Sequence, residues 1–478
     1  MKLNGFLRSA LTREGSFHTT DELLAWLESR GEINRLRVDC IPFDALEQWS
    51  LDPPTGDLVH RSGKFFRVHG VRVQMGSRTS RAWDQPIIDQ PEVGILGIVA
   101  KEFAGIPHFL MQAKVEPGNI GGVQVTPTVQ ATRSNYTQVH QGARPPYVDY
   151  FLDRAHATVL VDQLQPEQGS TFLRKRNRNI VVEVAGDIPV GDEHRWMTIG
   201  QVKTLLRVPN LVSMDARTVL SCIPYLDRGA PTFAIQSSGG TPAIEDALPA
   251  ASQFGFRLLT SMGEPGRPAY SDEQVLGWLT DLKVRSHLCV ERISLEHLRG
   301  WQRGTSEIVS EDGRYFRVGA VRVEAVNREV SFWDQPLVGP VEKGLIAFVV
   351  REINGALHFL VQGKIEPGNL DVVAVGPTVQ CALGPETLGD EGSWPPFVDL
   401  VQHAPGSDVR YSCVQSEEGG RFYHVENEYR VVEIPAGEEL DLPENYLWVS
   451  LRQLGDLLRH GLVNVEARSL LACLPLAE

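Results

Sequence analysis

Several features that mark particular protein classes are missing from this chain of 478 residues. Its six cysteines are scattered and none forms a CxxC pair, which excludes a disulfide scaffold and favours reduced thiols that act as packing residues. No apolar run approaches the ~18 residues that a membrane-spanning helix needs. Arg8, Arg13 and Glu14 interrupt the start of the chain, so we expect no secretory signal and a cytoplasmic protein.

Positive charge is also scarce. The chain has 46 Lys and Arg against 60 Asp and Glu, a net charge of -14, which argues against a surface that attracts nucleic acid or an anionic membrane. The sequence contains no HExxH, P-loop or GxSxG motif, no spaced Cys and His set for zinc, and no GxGxxG motif after a strand. We therefore expect no metal centre and no tightly bound dinucleotide cofactor.

The clearest positive feature is an internal repeat. Residues His108–Gln130 and His358–Gln380 are identical at 15 of 23 positions, at an offset of 250 residues. The same offset relates shorter segments that read FFRV and YFRV, WDQP in both copies, and PPYVD and PPFVD. This self-similarity indicates a gene duplication. We predict a first domain at 1–229, a linker rich in Pro, Gly and Ser at 230–270, and a second domain at 271–478.

Local patterns predict an α+β class for each repeat. Helical spacing follows the candidate N-caps Thr20 and Ser271, and further helices are predicted at Phe43–Trp49, Met197–Leu206 and Val449–Leu458. Strand patterns predict hairpins around Gly70 and around the Asn354-Gly355 pair, where Asn-Gly favours a type I′ turn.

Polar side chains alternate along two neighbouring predicted strands, so each strand has one polar face. The first strand has Gln112, Lys114 and Glu116, and the second has the alternating set Gln124, Thr126, Thr128 and Gln130. One such face is typical of a solvated surface, whereas two adjacent ones favour a wet pocket. The EPGN segment between them is either part of that pocket or simply a turn, because Pro-Gly-Asn suits one.

The two copies provide an internal comparison of these residues. Five of them recur in the second copy, as Lys364, Glu366, Asn369, Thr378 and Gln380. The basic run Arg174–Arg178 is replaced in the second copy by His424–Glu428, so it is either a solvated run or a phosphate site. The first repeat therefore looks like the better-equipped ligand pocket. His108 and His358, matched on a strand, are expected to be structural.

The segments QAKVEPGN and PTVQATRSNY, with QGKIEPGN and GPTVQC in the second copy, resemble the NDP-hexose 2,3-dehydratases over nearly the whole chain. This resemblance implies a tandem of two Nudix-like α/β sandwich domains and a homodimer, without a cofactor. The Nudix hydrolase signature is absent, so pyrophosphate cleavage is not expected. The second copy departs from the family pattern at Cys381–Glu386, which implies a degenerate or accessory second pocket.

The implied reaction removes C3–H and the C2 hydroxyl of dTDP-4-keto-6-deoxyglucose as water and yields a 3,4-diketo-2,6-dideoxy sugar. The implied pathway makes deoxysugars for glycosylated natural products such as antibiotics, with a sugar ketoreductase or aminotransferase acting next. A base at C3, an acid for the C2 hydroxyl and donors to the C4 oxygen are needed.

We assign these roles to residues of the first repeat as a hypothesis. Lys114 and Tyr136 are expected to act on the C4 oxygen and the C3 proton, in either order, with Glu116 as the alternative base or the acid. The remaining predicted contacts are with sugar, pyrophosphate and thymine: Gln112, Asn119, Gln124, Thr128, Gln130, Thr132, Ser134 and Asn135 for hydroxyls, Arg133, Arg174 and Arg176 for pyrophosphate, and Trp49 or Trp83 for thymine. The predicted second pocket has Trp301 and the five recurring residues.

Two other functional classes stay open. A duplicated module could bind nucleotide sugars without chemistry, or a lyase could use zinc, although the sequence lacks a convincing ligand set.

Overall fold

A computed structural model describes residues 3–76, 81–137, 144–153, 155–226, 251–263, 268–313, 315–326, 330–340, 342–383 and 394–477. The α-helices are α1 Leu3–Leu11, α2 Thr20–Ile33, α3 Arg133–Tyr136, α4 Asp149–Leu152, α5 Ile199–Leu205, α6 Met214–Ser221, α7 Gln253–Met262, α8 Asp272–Arg285, α9 Val398–Gln402, α10 Leu451–Arg459 and α11 Val465–Ala472. Short 3₁₀ turns lie at Phe43–Ala45, Leu295–His297 and Gly406–Asp408.

The strands of the first repeat are β1 Leu36–Ile41, β2 Trp49–Leu51, β3 Leu58–His60, β4 Arg67–Met75, β5 Arg81–Asp89, β6 Gly94–Phe103, β7 Ile106–Val115, β8 Val123–Thr126, β9 Val129–Ala131, β10 Thr158–Pro166, β11 Arg176–Glu183 and β12 His194–Met197. Those of the second repeat are β13 Leu288–Ile293, β14 Trp301–Arg303, β15 Glu307–Ser310, β16 Arg317–Ala325, β17 Phe332–Gly339, β18 Gly344–Ile353, β19 Ala356–Ile365, β20 Val373–Gly376, β21 Val379–Ala382, β22 Val409–Ser416, β23 Glu426–Glu433 and β24 Tyr446–Ser450.

Each repeat has a seven-stranded mixed sheet with the same topology. In the first, β6 pairs in parallel with β11 and antiparallel with β7, and β8, β9, β10 and β12 complete the sheet. In the second, β18 pairs in parallel with β23 and antiparallel with β19, and β20, β21, β22 and β24 complete it. The predicted α+β class and the duplication are therefore confirmed.

The two repeats exchange one strand each. The first-repeat strand β1 pairs with β16 of the second repeat, and the second-repeat strand β13 pairs with β4 of the first. Two five-stranded sheets result, and each has an edge strand from the other repeat. Because main-chain hydrogen bonds join the repeats at both places, neither repeat completes its own small sheet.

One large hydrophobic core joins the halves. It includes Phe109 and Met111 from the first large sheet, and Phe348 and Phe359 from the second, all with no exposed surface. The fully buried Arg217 crosses the same region, because its guanidinium donates to the Ser416 carbonyl (2.6 Å) of the second repeat. Such burial removes apolar surface from water, so the shared core stabilises the contact between the repeats.

The structure corrects part of the predicted linker at 230–270. The segment Gln253–Met262 forms the helix α7, capped by the Ser252 hydroxyl. The α7 residues Leu258 and Leu259 are completely buried in the shared core. Residues 230–250 and 264–267 of the predicted linker lie outside the described residues.

Other local predictions have mixed outcomes. The hairpin at Asn354-Gly355 is confirmed, with φ angles of 53° and 81° that suit a type I′ turn. The predicted hairpin around Gly70 is wrong: β4 runs straight through, and a Cβ on this glycine would lie 3.0 Å from the Ser294 carbonyl oxygen. The predicted helix at Phe43–Trp49 is only a 3₁₀ turn that ends at Ala45.

The helix ends agree better with the sequence. The cap of α8 is Ser271 as predicted, whereas α2 is capped by Thr19 rather than Thr20. The closing helices are confirmed as α5 and α10, each with a capping box. Within the described residues no helix is long and apolar enough to cross a membrane.

Candidate active site

Small-molecule sites are typically cavities of about 300–1,000 Å³. A cavity of ≈ 560 Å³ lies over the polar face of β7. Its first-repeat wall includes Gln112, Lys114 and Gln130 of the predicted site. The predicted Trp49, Thr128, Thr132 and Asn135 also line it. The sequence pattern thus located the pocket, since alternation places Gln112 and Lys114 on one side of β7.

The Lys114 side chain is at the centre of this polar wall. Its ammonium lies 2.5 Å from Glu116 Oε1 and donates to Gln130 Oε1 at 3.3 Å. The exposed fractions of the two ionic side chains are only 22% and 14%, so the pair is protected from most solvent screening. A cation, a carboxylate and an amide are therefore in one hydrogen-bonded group beside the cavity.

The second repeat supplies the opposite wall. Trp333, Asp334, Gln335 and Arg421 line the cavity, beside the first-repeat residues Phe65, Phe66 and His60. The Asp334 carboxylate accepts from the backbone N–H groups of Glu47 and Gln48, at 2.6 and 3.2 Å, and so fixes this wall to the segment before Trp49. The site is therefore built from both copies of the repeat.

Arg421 is the second cation at the cavity. Its Nη1 donates to the Gly420 carbonyl at 2.8 Å, and its guanidinium lies over the Phe66 ring, 4.2 Å from the centroid. Burial lowers the pKa of Arg421, while Glu418 and Glu116 oppose that shift. A guanidinium nevertheless keeps its charge at every physiological pH.

Carboxyl groups lie behind this wall. Burial raises the pKa of Glu418, with Glu116 adding to the shift and Arg421 opposing it. Burial also raises the pKa of Asp215 well above its ordinary value, with Glu418 adding to the effect. Both carboxyl groups therefore keep their protons to a higher pH than an exposed carboxyl group does.

Several predicted sugar contacts have structural roles instead. Thr128 Oγ1 accepts from the Val99 N–H (2.9 Å) and also donates to the Leu110 carbonyl, so this hydroxyl ties β6 to β7. The Gln124 amide is 1% exposed and donates to the Asn210 carbonyl and to Ser416 Oγ.

Asn119 belongs to a turn in which the two repeats touch. Its amide donates to the Gly122 carbonyl, and a Cβ on Gly419 would lie 2.0 Å from its Oδ1. The Gly118 N–H donates to the Gly419 carbonyl at 2.8 Å. A Cβ at Gly118 would lie 1.5 Å from the Phe422 carbonyl oxygen, so the EPGN glycine is required for backbone contact between repeats. EPGN is thus a turn, the simpler of the two sequence interpretations.

The predicted pyrophosphate arginines are not brought together. Arg133 and Arg174 are exposed, and neither Arg133, Arg174 nor Arg176 lines the cavity. The neighbouring Arg178 is paired with Asp162 at 2.7 Å. Within the described structure, the basic run therefore supplies no side chain to this cavity.

The remaining predicted residues also lie elsewhere. Tyr136 packs against the hydrophobic cluster that contains Leu110 and Val129, and does not itself line the cavity. Ser134 donates to Glu92 at 2.9 Å. Trp83 packs with Val71, Val73 and Ile87, and its place in this cavity is taken by Trp333, the tryptophan of the other WDQP segment.

The equivalent residues of the second repeat form a different arrangement. Lys364 donates to the Gln380 carbonyl (3.0 Å), and the Gln380 amide donates to Glu366 at 3.2 Å. Thr378 bridges β18 and β19 as Thr128 bridges its strands. Asn369 packs against Gly169, and the Trp301 indole donates to the Asp84 carbonyl of the first repeat.

The sequence reasoning missed the wall from the second repeat. The recurrence of WDQP was a usable signal for Trp333, but nothing in a position-by-position comparison indicates that Arg421 faces the first pocket. His108 accepts from the Ser16 N–H and lies 2.9 Å from the Ile106 carbonyl, which confirms its structural role. Among the described residues no group of three or more His, Cys, Asp or Glu could hold a metal ion.

Comparisons with known proteins define the class. The family model of the NDP-hexose 2,3-dehydratases matches residues 20–223 and 272–474. The chain is 45% identical over 471 residues to a dTDP-4-dehydro-6-deoxy-alpha-D-glucopyranose 2,3-dehydratase of Saccharopolyspora spinosa, covering 98% of this chain and 94% of that relative. A relative of the same name from Amycolatopsis orientalis is 46% identical over 473 residues, covering 98% and 92%. A third, from Streptomyces violaceoruber, is 45% identical over 475 residues, covering 97% of each chain.

Fold, cavity and relatives thus define a duplicated α+β dehydratase. The chain belongs to the NDP-hexose 2,3-dehydratase family, as the sequence motifs predicted.

Proposed function

We propose that the protein eliminates water across C2–C3 of dTDP-4-keto-6-deoxyglucose, in the cavity that Lys114 and Arg421 line. The observation that carries this proposal is the contact of Lys114 with Glu116, 2.5 Å apart beside a cavity of ≈ 560 Å³. The three relatives have names that specify this reaction on this nucleotide sugar.

The chemistry follows from the position of the ketone. The C4 carbonyl acidifies C3–H, so a base removes that proton and the electron pair forms an enolate. The enolate then expels the C2 hydroxyl, which leaves as water after it gains a proton. The resulting C2=C3 enol takes a proton at C2 and becomes the 3-ketone. Atoms and electrons balance without a redox step.

Glu116 is the proposed base and Lys114 the proposed donor to the C4 oxygen. An ammonium that already contacts the carboxylate is placed to stabilise the enolate as charge moves from carboxylate to oxygen. Gln130 holds the ammonium in place through its Oε1 atom. Tyr136 keeps the lesser proposed role, as a group that acts only if it moves into the cavity.

The nucleotide is proposed to lie toward the second-repeat wall. Trp333 is partly exposed there, beside Phe65 and His60, and offers an aromatic surface for thymine. The sugar hydroxyls then lie near Gln112, Thr132 and Asn135.

Further features belong to the same proposal. Each repeat is a Nudix-like α/β sandwich, with domains at 1–229 and 271–478 that exchange strands. The protein is a cytoplasmic homodimer in deoxysugar biosynthesis for a glycosylated natural product, and needs no cofactor. A ketoreductase or aminotransferase acts on its labile diketo product.

Incubation with the proposed substrate in D₂O tests the reaction. We expect loss of the mass of water, with the diketo product trapped by reduction, and deuterium at C2 of the trapped product. Glu116→Gln should stop formation of the diketo product, whereas Lys364→Ala, which changes the equivalent of Lys114 in the second repeat, is the control. Tight binding with unchanged substrate would favour the alternative, a nucleotide-sugar-binding module.

A further inference from the structure

We propose that Arg421, from the second repeat, binds the diphosphate of the nucleotide sugar in the first-repeat cavity. This inference rests on the proposed function and assigns the diphosphate contact to a residue outside the run that sequence comparison indicated. The proposal is based on the position of the Arg421 guanidinium, which lies between an aromatic wall and the Lys114–Glu116 pair.

The position of Arg421 matches the order of parts in a nucleotide sugar. The side chain lies over Phe66, on the aromatic side of the cavity. It is also close enough to Glu116 for that carboxylate to influence the pKa of Arg421. In a nucleoside diphosphate sugar the diphosphate lies between base and sugar. A cation at the junction of an aromatic wall and a sugar-facing ion pair is therefore where the diphosphate has to pass.

The Arg421 guanidinium has N–H groups that donate to no described acceptor, unlike the other charged groups along the described cavity wall. Lys114 is paired with Glu116, Asp334 accepts two backbone N–H groups, and Glu193 accepts from Asn34 at 2.8 Å. Within the described residues, the Arg421 guanidinium makes one hydrogen bond, to the Gly420 carbonyl, and its Nε has no partner. The charges of Glu418 and Glu116 act on Arg421, but no described carboxylate accepts a hydrogen bond from its guanidinium.

The nearby Glu418 does not neutralise Arg421 directly. Its Oε1 accepts from the Gly420 N–H at 2.9 Å, which turns the carboxylate toward its own loop. The Gly420 carbonyl also accepts from Gln335, at 2.7 Å, so the loop that bears Arg421 is held on the cavity wall. A fixed planar guanidinium with free N–H groups is well suited to bind phosphate oxygens in a bidentate way.

The equivalent residue in the first repeat is Thr171, which has no charge. Its loop touches the EPGN turn of the second repeat, as the Gly419–Arg421 loop touches the EPGN turn of the first. The exchange of loops therefore gives the cation to the first pocket alone, and the proposed diphosphate contact is one difference between the pockets.

Binding of dTDP and of thymidine to Arg421→Gln tests the proposal by calorimetry. We expect the affinity for dTDP to fall about 10–100-fold, since one charge-assisted contact is lost. The affinity for thymidine, which has no phosphate, should stay within about twofold of the wild-type value. Turnover should show a raised KM with kcat changed less. Arg133→Gln, which removes the same charge from an exposed residue outside the cavity, is the matched control.

An unchanged dTDP affinity of Arg421→Gln, or an equal loss for thymidine, would overturn the assignment. If Arg133→Gln loses dTDP binding instead, the diphosphate contact would belong to the arginines that sequence comparison indicated. If Arg421→Gln melts early, Arg421→Lys replaces it, with an expected dTDP loss of about 3–10-fold. A wild-type protein that turns over the substrate keeps the proposed function whatever these variants do. A wild-type protein that neither binds dTDP nor turns over would end both proposals.

Discussion

The two repeats place the same lysine, glutamate and glutamine at equivalent positions of the fold, yet the hydrogen bonds of these side chains differ. In the first, Lys114 contacts Glu116 and donates to the Gln130 side chain. In the second, Lys364 donates to a backbone carbonyl, and no ion pair joins it to Glu366 within the described residues. A recurring set of side chains is therefore not a recurring site, because the surrounding residues decide which groups stay paired and which can react.

One cause of this difference in hydrogen bonding is the residue that caps the last helix of each repeat. In the second repeat, Asn464 caps α11 through its Oδ1 and donates from its Nδ2 to Gln380 Oε1, at 2.8 Å. In the first, the Ser213 hydroxyl caps α6, and the serine side chain has no amide group that could donate to Gln130. Gln130 Oε1 is thus free to accept from Lys114, whereas Gln380 turns its amide to Glu366.

A second cause of the difference between the two sites is a substitution on the last strand of each large sheet. His194 of β12 lies 3.3 Å from the Thr128 carbonyl, and its counterpart on β24 is Tyr446. In the second repeat the equivalent Thr378 carbonyl instead accepts from Gln362 at 3.3 Å. The amide of Gln112 makes no such bond in the described structure and faces the cavity, so it is available to a ligand.

Removing the lysine from each pocket should give the largest difference. We expect Lys114→Ala to lower kcat about 10³-fold, since a proton-handling or charge-stabilising group contributes roughly 10²–10⁴-fold. Lys364→Ala should change kcat less than about threefold. Steady-state turnover of the trapped product measures both. Equal losses would mean that both pockets turn over or that the lysines only support the fold.

Substitution at the turns that join the repeats should affect both halves alike. Gly118→Ala and Gly368→Ala would place a Cβ 1.5 and 1.8 Å from the carbonyl oxygens of Phe422 and Phe172. Since backbone must move in each case, we expect each to lower the free energy of unfolding by about 3 kcal/mol. Gly186→Ala, which meets no atom within 4 Å, is the control. Urea unfolding checks this symmetry, and a loss from only one of the two would show that the turns are not equivalent.

Acid should destabilise the first repeat through His194. Burial lowers its pKa to about 4, so between this value and about 6.5 the unfolded chain binds the proton more readily. The stabilisation is fully present above pH 6.5 and is lost as the pH falls toward 4. Tyr446 does not titrate there, because burial raises its pKa to about 12.

The measurement is urea unfolding of wild type and His194→Gln at pH 7.5 and pH 5. We expect the wild type to lose about 2 kcal/mol more than the variant over this interval. Other buried histidines contribute equally to both proteins, so the difference isolates His194. Equal losses would contradict the proposed titration.

The smallest expected effect comes from exchanging the helix caps. In Ser213→Asn, the new amide should donate to Gln130 Oε1, so that Lys114 loses this acceptor. We expect kcat to fall about tenfold, because one hydrogen bond to a charged group is lost. Asn464→Ser changes the second repeat only and should leave kcat within twofold. Because Asn and Ser are both good N-caps, melting temperatures should stay near the wild-type value. A normal rate in Ser213→Asn would reject this explanation of the difference.

The sequence was sufficient for the duplication and for the polar face of β7, because strand alternation is a local property. The sequence was insufficient for the roles of Thr128 and Asn119. These residues recur because each copy needs the same hydrogen-bonded bridge between strands and the same turn. The sequence was also insufficient for Arg421. Comparing the copies position by position assigns each residue to its own repeat, whereas the exchanged strands and loops place Arg421 in the pocket of the other.

A crystal structure of the protein soaked with dTDP would test whether the first-repeat cavity, completed by the second repeat, is the substrate site. The expected density has thymine beside Trp333, the diphosphate at the Arg421 guanidinium and the open end of the nucleotide toward Lys114. A first cavity left empty at a saturating concentration, with the nucleotide bound elsewhere on the chain, would contradict the proposed site.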